Sequence, residues 1–241
     1  MGDIHGEFGR LRMLSDSEPG TTFVVLGDVG FGFGLVPRLS NVKYVRGNHD
    51  DPHAARMHPD YLGDFGVWDG MFYIGGAFSV DWQWRIERMN MGAPVCWWPD
   101  EELDEAALER AIVRYSELKP EIVISHEAPS EIGWMLLQRI LIRPEKRECK
   151  NSRTAQALQR MFEFHQPKHW YFGHYHYDWT AEVNGTVFHC LNCHSICERA
   201  NDEEHEERQD HHEESHQSQQ DRSEGCGSSQ EVRAGNGEAA A

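Results

Sequence analysis

The sequence predicts an α/β protein. Short runs rich in β-branched and aromatic residues alternate with stretches of helical period, the pattern of strands and helices packed in layers. Several strand-like runs end beside a residue able to hold a metal: Asp28, Asn48, His126 and His174. Ligands of open α/β sheets bind beyond the carboxyl ends of strands, so this pattern would bring distant segments to one rim.

The elements follow in order. Residues 22–26 read as a buried strand ended by Gly27-Asp28, and 42–45 as a second ended by Arg46-Gly47-Asn48. Residues 71–74 follow an Asp69-Gly70 turn and stop at Gly75-Gly76. A helix over 101–118 places Leu103, Ala107, Ala111, Tyr115 and Leu118 on one face, with Pro99 just before it. Residues 122–124 form a strand running into Ser125-His126. A helix over 152–164 carries Ala155, Leu158, Met161 and Phe162, with Asn151 or Ser152 as its cap. Residues 169–172 form a strand ending at Gly173-His174, and Asn184-Gly185 joins 179–183 to 186–190 as a hairpin.

The chain has 241 residues, 39% hydrophobic, and a net charge of −17. Residues 201–241 contain 12 acidic and 3 basic residues, and Val232 is their one branched aliphatic. Such a segment buries too little apolar surface to offset its ordering entropy. A domain over 1–200 and a disordered acidic tail over 201–241 are expected. The acidic balance argues against non-specific nucleic-acid binding, which needs Lys and Arg to neutralise phosphates. No run approaches the roughly 18 apolar residues of a membrane span. No basic region followed by an apolar run opens the chain, and its six cysteines are irregularly spaced. A cytoplasmic protein with reduced thiols and no membrane partner is expected.

Asp3 and His5 are two residues apart, as are His174 and His176. In extended backbone such pairs face the same side and can reach one cation. A carboxylate at Asp28 can bridge two cations, Asn48 offers an amide oxygen, and His49 beside it can donate a proton to a bound substrate. Mixed His, Asp and Asn ligation suits Mn²⁺, Fe or Zn²⁺.

Five blocks carry a resemblance. They are Gly2-Asp3-Ile4-His5-Gly6, Gly27-Asp28-Val29-Gly30, Arg46-Gly47-Asn48-His49-Asp50, Ser125-His126-Glu127 and Gly173-His174-Tyr175-His176. In that order, over residues 1 to about 195, the chain resembles the calcineurin-like metallophosphoesterase superfamily. Stretches 75–81 and 97–102 look like those of its small bacterial and phage-type members. The resemblance implies a four-layer sandwich of two mixed β-sheets flanked by helices. It also implies a phosphoesterase that cleaves mono- or diesters with a metal-activated water at two divalent ions, Mn²⁺ first, with Fe or Zn²⁺ as alternatives. By motif position, Asp3, His5 and His176 would hold one ion and Asn48, His126 and His174 the other. Asp28 would bridge them, and His49 would protonate the leaving group. The expected partner is a phosphorylated small molecule or nucleotide rather than a phosphoprotein.

Two departures stand out. The Asp-Arg pair of the protein-phosphatase branch is replaced by Phe31-Gly32-Phe33-Gly34. Arg46 and Arg85 are then the candidates for gripping phosphate, and Asp50 for orienting His49. Only Met1 and Gly2 precede the first block, so either the native start lies upstream or the first central strand is missing, leaving Asp3 and His5 poorly held. That raises an alternative: a catalytically impaired metal-binding scaffold. Another is a zinc-stabilised interaction module at Cys190, Cys193 and Cys197. Trp68, Trp82, Trp84, Trp97 and Trp98 are expected to pack between the sheets, with Trp82 and Trp84 as candidates for substrate contact.

Overall fold

The computed structural model describes residues 1–140 and 152–199. The expected acidic tail, Asn151, Cys149 and Cys226 lie outside the described residues. Met1–Cys197 form one unit.

Helix α1 (Gly9–Ser17) leads into β1 (Phe23–Leu26) and β2 (Val42–Val45), which pair in parallel, and α2 (Pro52–Met57) follows. A larger sheet contains β3 (Phe65–Trp68), β4 (Met71–Ile74), β5 (Ile122–Ser125), β6 (His169–Phe172), β7 (Trp179–Val183) and β8 (Thr186–Cys190). Its order is β3-β4-β5-β6-β8-β7. The inner strands β4, β5, β6 and β8 run parallel, and the edge strands β3 and β7 are antiparallel to their neighbours. Helices α3 (Trp82–Asn90), α4 (Glu105–Leu118), α5 (Ser130–Ile140) and α6 (Arg153–Phe164) complete the described elements.

Alternation along the strands builds the layers. Phe72, Val123, Trp170, Phe172 and Phe188 pack against Leu108, Tyr115, Leu136, Leu158 and Phe162 of the outer helices. On the opposite face Tyr73, Ile124 and Tyr171 meet Leu26 and Val45 of the small sheet. That sheet turns Val25, Val42 and Tyr44 toward Leu11 and Ala55 of α1 and α2. The expected order of helix, sheet, sheet, helix is therefore present. The larger sheet is mixed, and the smaller is a parallel pair.

Met1 continues the small sheet. Its nitrogen donates to the Val24 carbonyl at 2.8 Å, and Leu26 N–H donates to the Met1 carbonyl at 2.9 Å. These are the two bonds of a parallel rung opposite Val25. Beyond it, the Ile4 and His5 amides donate to the Asp28 carbonyl, and Gly6 N–H to that of Val29. The expectation that Asp3 and His5 are loosely held is corrected by this ladder.

Helix α4 begins four residues later than its periodicity suggests. Asp104 caps it by accepting from Ala107 N–H at 2.7 Å. Glu101 and Glu102 stay in the preceding loop and are buried. The tryptophans do not pack together between the sheets. Trp68 packs at that interface, whereas Trp82 meets Trp97, Trp98 meets Phe33, and Trp84 is exposed under the guanidinium of Arg88.

The loops after β1 and β2 are tied together by one side chain. The carboxylate of Asp50 accepts from the backbone amides of Val29, Gly30, Phe31 and Gly47 at 2.7–3.0 Å, and is fully buried. Asp50 therefore fixes loops and does not orient His49. Asp50→Ala should strand these amides and lower the unfolding free energy by about 3 kcal/mol or more, with Asp50→Asn restoring part of it. Urea unfolding of both variants checks this; a loss under about 1 kcal/mol would show that the loops hold without it.

Candidate metal centre

The segments that follow four strands deliver the site: Asp28 after β1, Asn48 and His49 after β2, His126 after β5, and His174 and His176 after β6. The Met1 rung delivers Asp3 and His5. Close approach of these loops depends on Gly47, where a Cβ would lie 2.1 Å from Asp28 Oδ1 and 2.7 Å from His126 Nε2.

The seven expected donors are together. On one side, His176 Nε2 lies 3.0 Å from Asp3 Oδ2 and 3.1 Å from His5 Nε2. Asp3, His5, Asp28 and His176 offer four donor atoms within 4.8 Å of one another. On the other side, Asn48 Oδ1 lies 3.0 Å from both His126 Nε2 and His174 Nδ1. Asp28 stands between the sets. Its Oδ2 is 4.0 Å from His5 Nε2, and its Oδ1 is 3.4 Å from His126 Nε2.

Four of these residues have left-handed backbone: His5 at φ 45°, Asp28 at 45°, His174 at 69° and His176 at 49°. For non-glycine residues this costs of order 1 kcal/mol or more each, and such strain gathers at functional sites.

The electrostatics call for cations. Burial, then the charges of Asp3 and Asp50, push the Asp28 carboxyl well above its usual range. Burial also pushes Asp3 up, but the His176 hydrogen bond and the neighbouring imidazoles bring it below its usual range. Burial lowers His5, and it lowers His126 to about 3, so these imidazoles are neutral and keep a lone pair to give. His126 Nδ1–H donates to the Leu26 carbonyl at 2.8 Å, which directs Nε2 into the site. Two buried carboxylates, an amide oxygen and four imidazoles make a donor set suited to divalent ions of hard or borderline character.

A family model described as calcineurin-like phosphoesterase matches residues 1–178. The chain belongs to the calcineurin-like phosphoesterase family. Among solved structures it is similar to a phosphopantetheinyl hydrolase from Mycobacterium tuberculosis, at 16% identity and a TM-score of 0.44. That match covers 80% of this chain and 88% of the other. No curated protein matches the chain.

A cavity of about 410 Å³ opens beside the donors of this phosphoesterase. Arg85 lines it, and Arg46 does not. Arg46 has no exposed surface; it pairs with Asp64 at 3.0 Å and donates to the Glu101 carbonyl, so it cannot touch a substrate. Arg85 is anchored by Asp81 at 2.7 Å and the Cys96 carbonyl at 3.0 Å. Its guanidinium lies 2.9 Å from His49 Nε2. Burial and then Arg85 push His49 down to about 3, so the free imidazole is neutral. Trp82 and Trp84 are absent from the lining, where Phe78, Val80, Leu137, Ile140 and Tyr175 supply the apolar wall.

Cys190, Cys193 and Cys197 do not form a common donor set among the described residues. Cys190 is buried in the core with its sulfur 3.8 Å from the Gly173 carbonyl. The alternative of a zinc module at these three cysteines is not built.

Sequence reasoning missed the partners that orient the donors. Asn48 Nδ2 donates to Ser79 Oγ at 2.9 Å, leaving Oδ1 to face the histidines. The Glu101 carboxylate accepts from Ser79 N–H at 2.8 Å and from Ser79 Oγ–H at 2.6 Å. Glu127 Oε2 stands 3.8 Å from His174 Nε2, and the Tyr175 hydroxyl donates to Glu127 Oε1 at 2.7 Å. Stretches 75–81 and 97–102 thus meet behind Asn48; the only signal in the sequence was their shared likeness to small family members.

Outer partners of metal ligands typically contribute about 10–100-fold in affinity. Ser79→Ala should therefore weaken divalent-ion binding by about tenfold, read by metal titration, and Glu101→Gln should do less because it can still accept from Ser79. Equal affinity in Ser79→Ala would remove Ser79 from the site.

The raised Asp28 carboxyl also sets a pH dependence. In the metal-free protein it keeps a proton that an unfolded carboxyl loses near about pH 3.9. The folded state then binds more protons, so stability falls as pH rises toward the folded value. Asp28→Asn isolates this contribution, because its amide does not titrate. As pH rises above about 3.9, the metal-free parent should lose stability relative to metal-free Asp28→Asn, read from melting temperatures of both proteins. Parallel curves for the two proteins contradict the assignment.

Proposed function

We propose that the chain hydrolyses phosphate esters of small molecules at a pair of divalent ions. The observation that carries this reading is Asp28, a buried carboxylate whose two oxygens face two separate donor sets. Asp3, His5 and His176 would hold one ion and Asn48, His126 and His174 the other, with Asp28 shared between them. Mn²⁺ is the first choice, with Fe or Zn²⁺ as alternatives. Bound there, the ions would supply positive charge for the phosphoryl oxygens and a lowered pKa for the attacking water.

The protein's own groups divide the remaining work. Asp28 and Asp3 keep the centre together. Arg85 presents a fixed guanidinium at the cavity, the geometry suited to a phosphate oxygen. His49 stands at the same place and serves the leaving-group oxygen. The neutral imidazole of the free protein has no acidic proton, so its donor role begins when the negative charge of a bound phosphate raises its proton affinity. The apolar wall of the cavity suits the non-phosphate part of a small ester. A cavity of about 410 Å³ admits such a molecule or a nucleotide. The acidic chain is unsuited to non-specific nucleic-acid binding. The free thiols of Cys96, Cys190, Cys193 and Cys197 accord with work in the cytoplasm. Among the described residues, no helix is long and apolar enough to cross a membrane.

The test is hydrolysis of a panel of aryl phosphomonoesters and diesters with added Mn²⁺. Metal-dependent turnover is expected, and Asp28→Asn should abolish it. His49→Ala should lower kcat by about 10²–10⁴-fold while keeping the metal content of the parent. No turnover by folded, doubly loaded protein across the panel would favour the scaffold reading, and loss of an ion in His49→Ala would make His49 a ligand.

A further inference from the structure

The Cys-x-x-Cys of the sequence is split by the fold. Cys190 closes β8 and points into the core, whereas Cys193 lies on the loop beyond it, partly exposed. There its sulfur joins the ring nitrogens of His5 and His176, all three donor atoms within 4.8 Å of one another.

Six features hold this loop where it is. Asp178 accepts from Asn192 N–H and from Ser195 Oγ–H, each at 2.9 Å, so it clamps the chain on both sides of Cys193. Gly2 N–H donates to the Ser195 carbonyl and His194 N–H to the Asp3 carbonyl, also at 2.9 Å. The loop is therefore bonded to the same segment that supplies Asp3 and His5. A Cβ at Gly2 would fall 2.1 Å from the Asn192 carbonyl oxygen, so the contact requires glycine. His194 has φ 60°, a left-handed turn like those of the neighbouring donors. A surface thiol with no task does not need so many constraints.

We propose that Cys193 supplies a thiolate to the ion on the Asp3, His5 and His176 side. This rests on the two-ion reading above. Bond lengths of about 2.3 Å to sulfur and about 2.1 Å to imidazole put the two donors about 3.6 Å apart on a tetrahedral ion. The three donor atoms lie within 4.8 Å of one another, so binding asks for a closure of no more than roughly 1 Å. On binding, the S–H bond breaks, its proton passes to solvent, and a sulfur–metal bond forms; no oxidant or reductant takes part. A soft donor favours Zn²⁺ or Fe over Mn²⁺. The opposite side, with Asn48, His126 and His174, offers only oxygen and nitrogen. The two positions thus differ in metal preference.

Cobalt(II) titration of the full chain under reducing, anaerobic conditions tests this, followed by absorbance and by bound-metal analysis. The expected result is a sulfur-to-cobalt charge-transfer band in the near ultraviolet, kept in Cys197→Ser and lost in Cys193→Ser, with cobalt still bound. Cys193→Ser should also lose preference for Zn²⁺ over Mn²⁺ in competition. A parent protein that binds two cobalt ions without the band, or a band that survives Cys193→Ser, overturns the thiolate and leaves the two-ion reading standing. Failure to bind two ions overturns both.

Discussion

The centre of the molecule is a charge that the fold cannot dissipate by itself. Parallel strands place their carboxyl ends on one rim, and the rim converges on the side chain of Asp28. Burial removes water from that carboxylate, and Asp3 adds a second negative charge beside it. His176 pairs with Asp3 at 3.0 Å, while His5 and His126, kept neutral by burial, point lone pairs at the same space. Without an ion Asp28 holds its proton, and a bound cation takes that proton's place.

The surrounding protein is built to keep this unfavourable arrangement from relaxing. Asp50 binds two loops through their amides. Ser79 and Glu101 decide which end of the Asn48 amide faces inward. The Leu26 carbonyl does the same for the His126 ring. Each device removes a rotation that the donors would otherwise use to escape one another, so the site is shaped before anything binds.

The fold was legible where local pattern and tertiary role agree. The strands at 42–45, 71–74 and 169–172 are short apolar or aromatic runs closed by plain turn signals, and Asn184-Gly185 marks the hairpin. Helix α3 was not legible, because Arg85 is its one buried residue and no apolar stripe marks it. Helices α1 and α2 are short with few buried positions, and β3 is a half-exposed edge strand containing a glycine. Glu101 looked like the first turn of a helix, but its carboxylate is taken by a serine twenty-two residues earlier. The seven donors could be read because each sits at a strand end or in an i, i+2 pair. Their supports could not, because Arg46 with Glu101, and Cys193 with His5, meet only through the tertiary fold.

Glu101 and Glu102 are adjacent yet serve different parts of the molecule. The first holds Ser79 behind Asn48; the second accepts from the Thr154 amide at the start of α6 and from the Ser152 hydroxyl. A dipeptide therefore acts as a two-sided rivet between the inner loop and the outer helix layer. Its length admits no adjustment. A single residue inserted between the two glutamates would leave one side of the rivet without its mate, so this junction is a poor place to recombine segments from relatives, however similar the flanking sequences are.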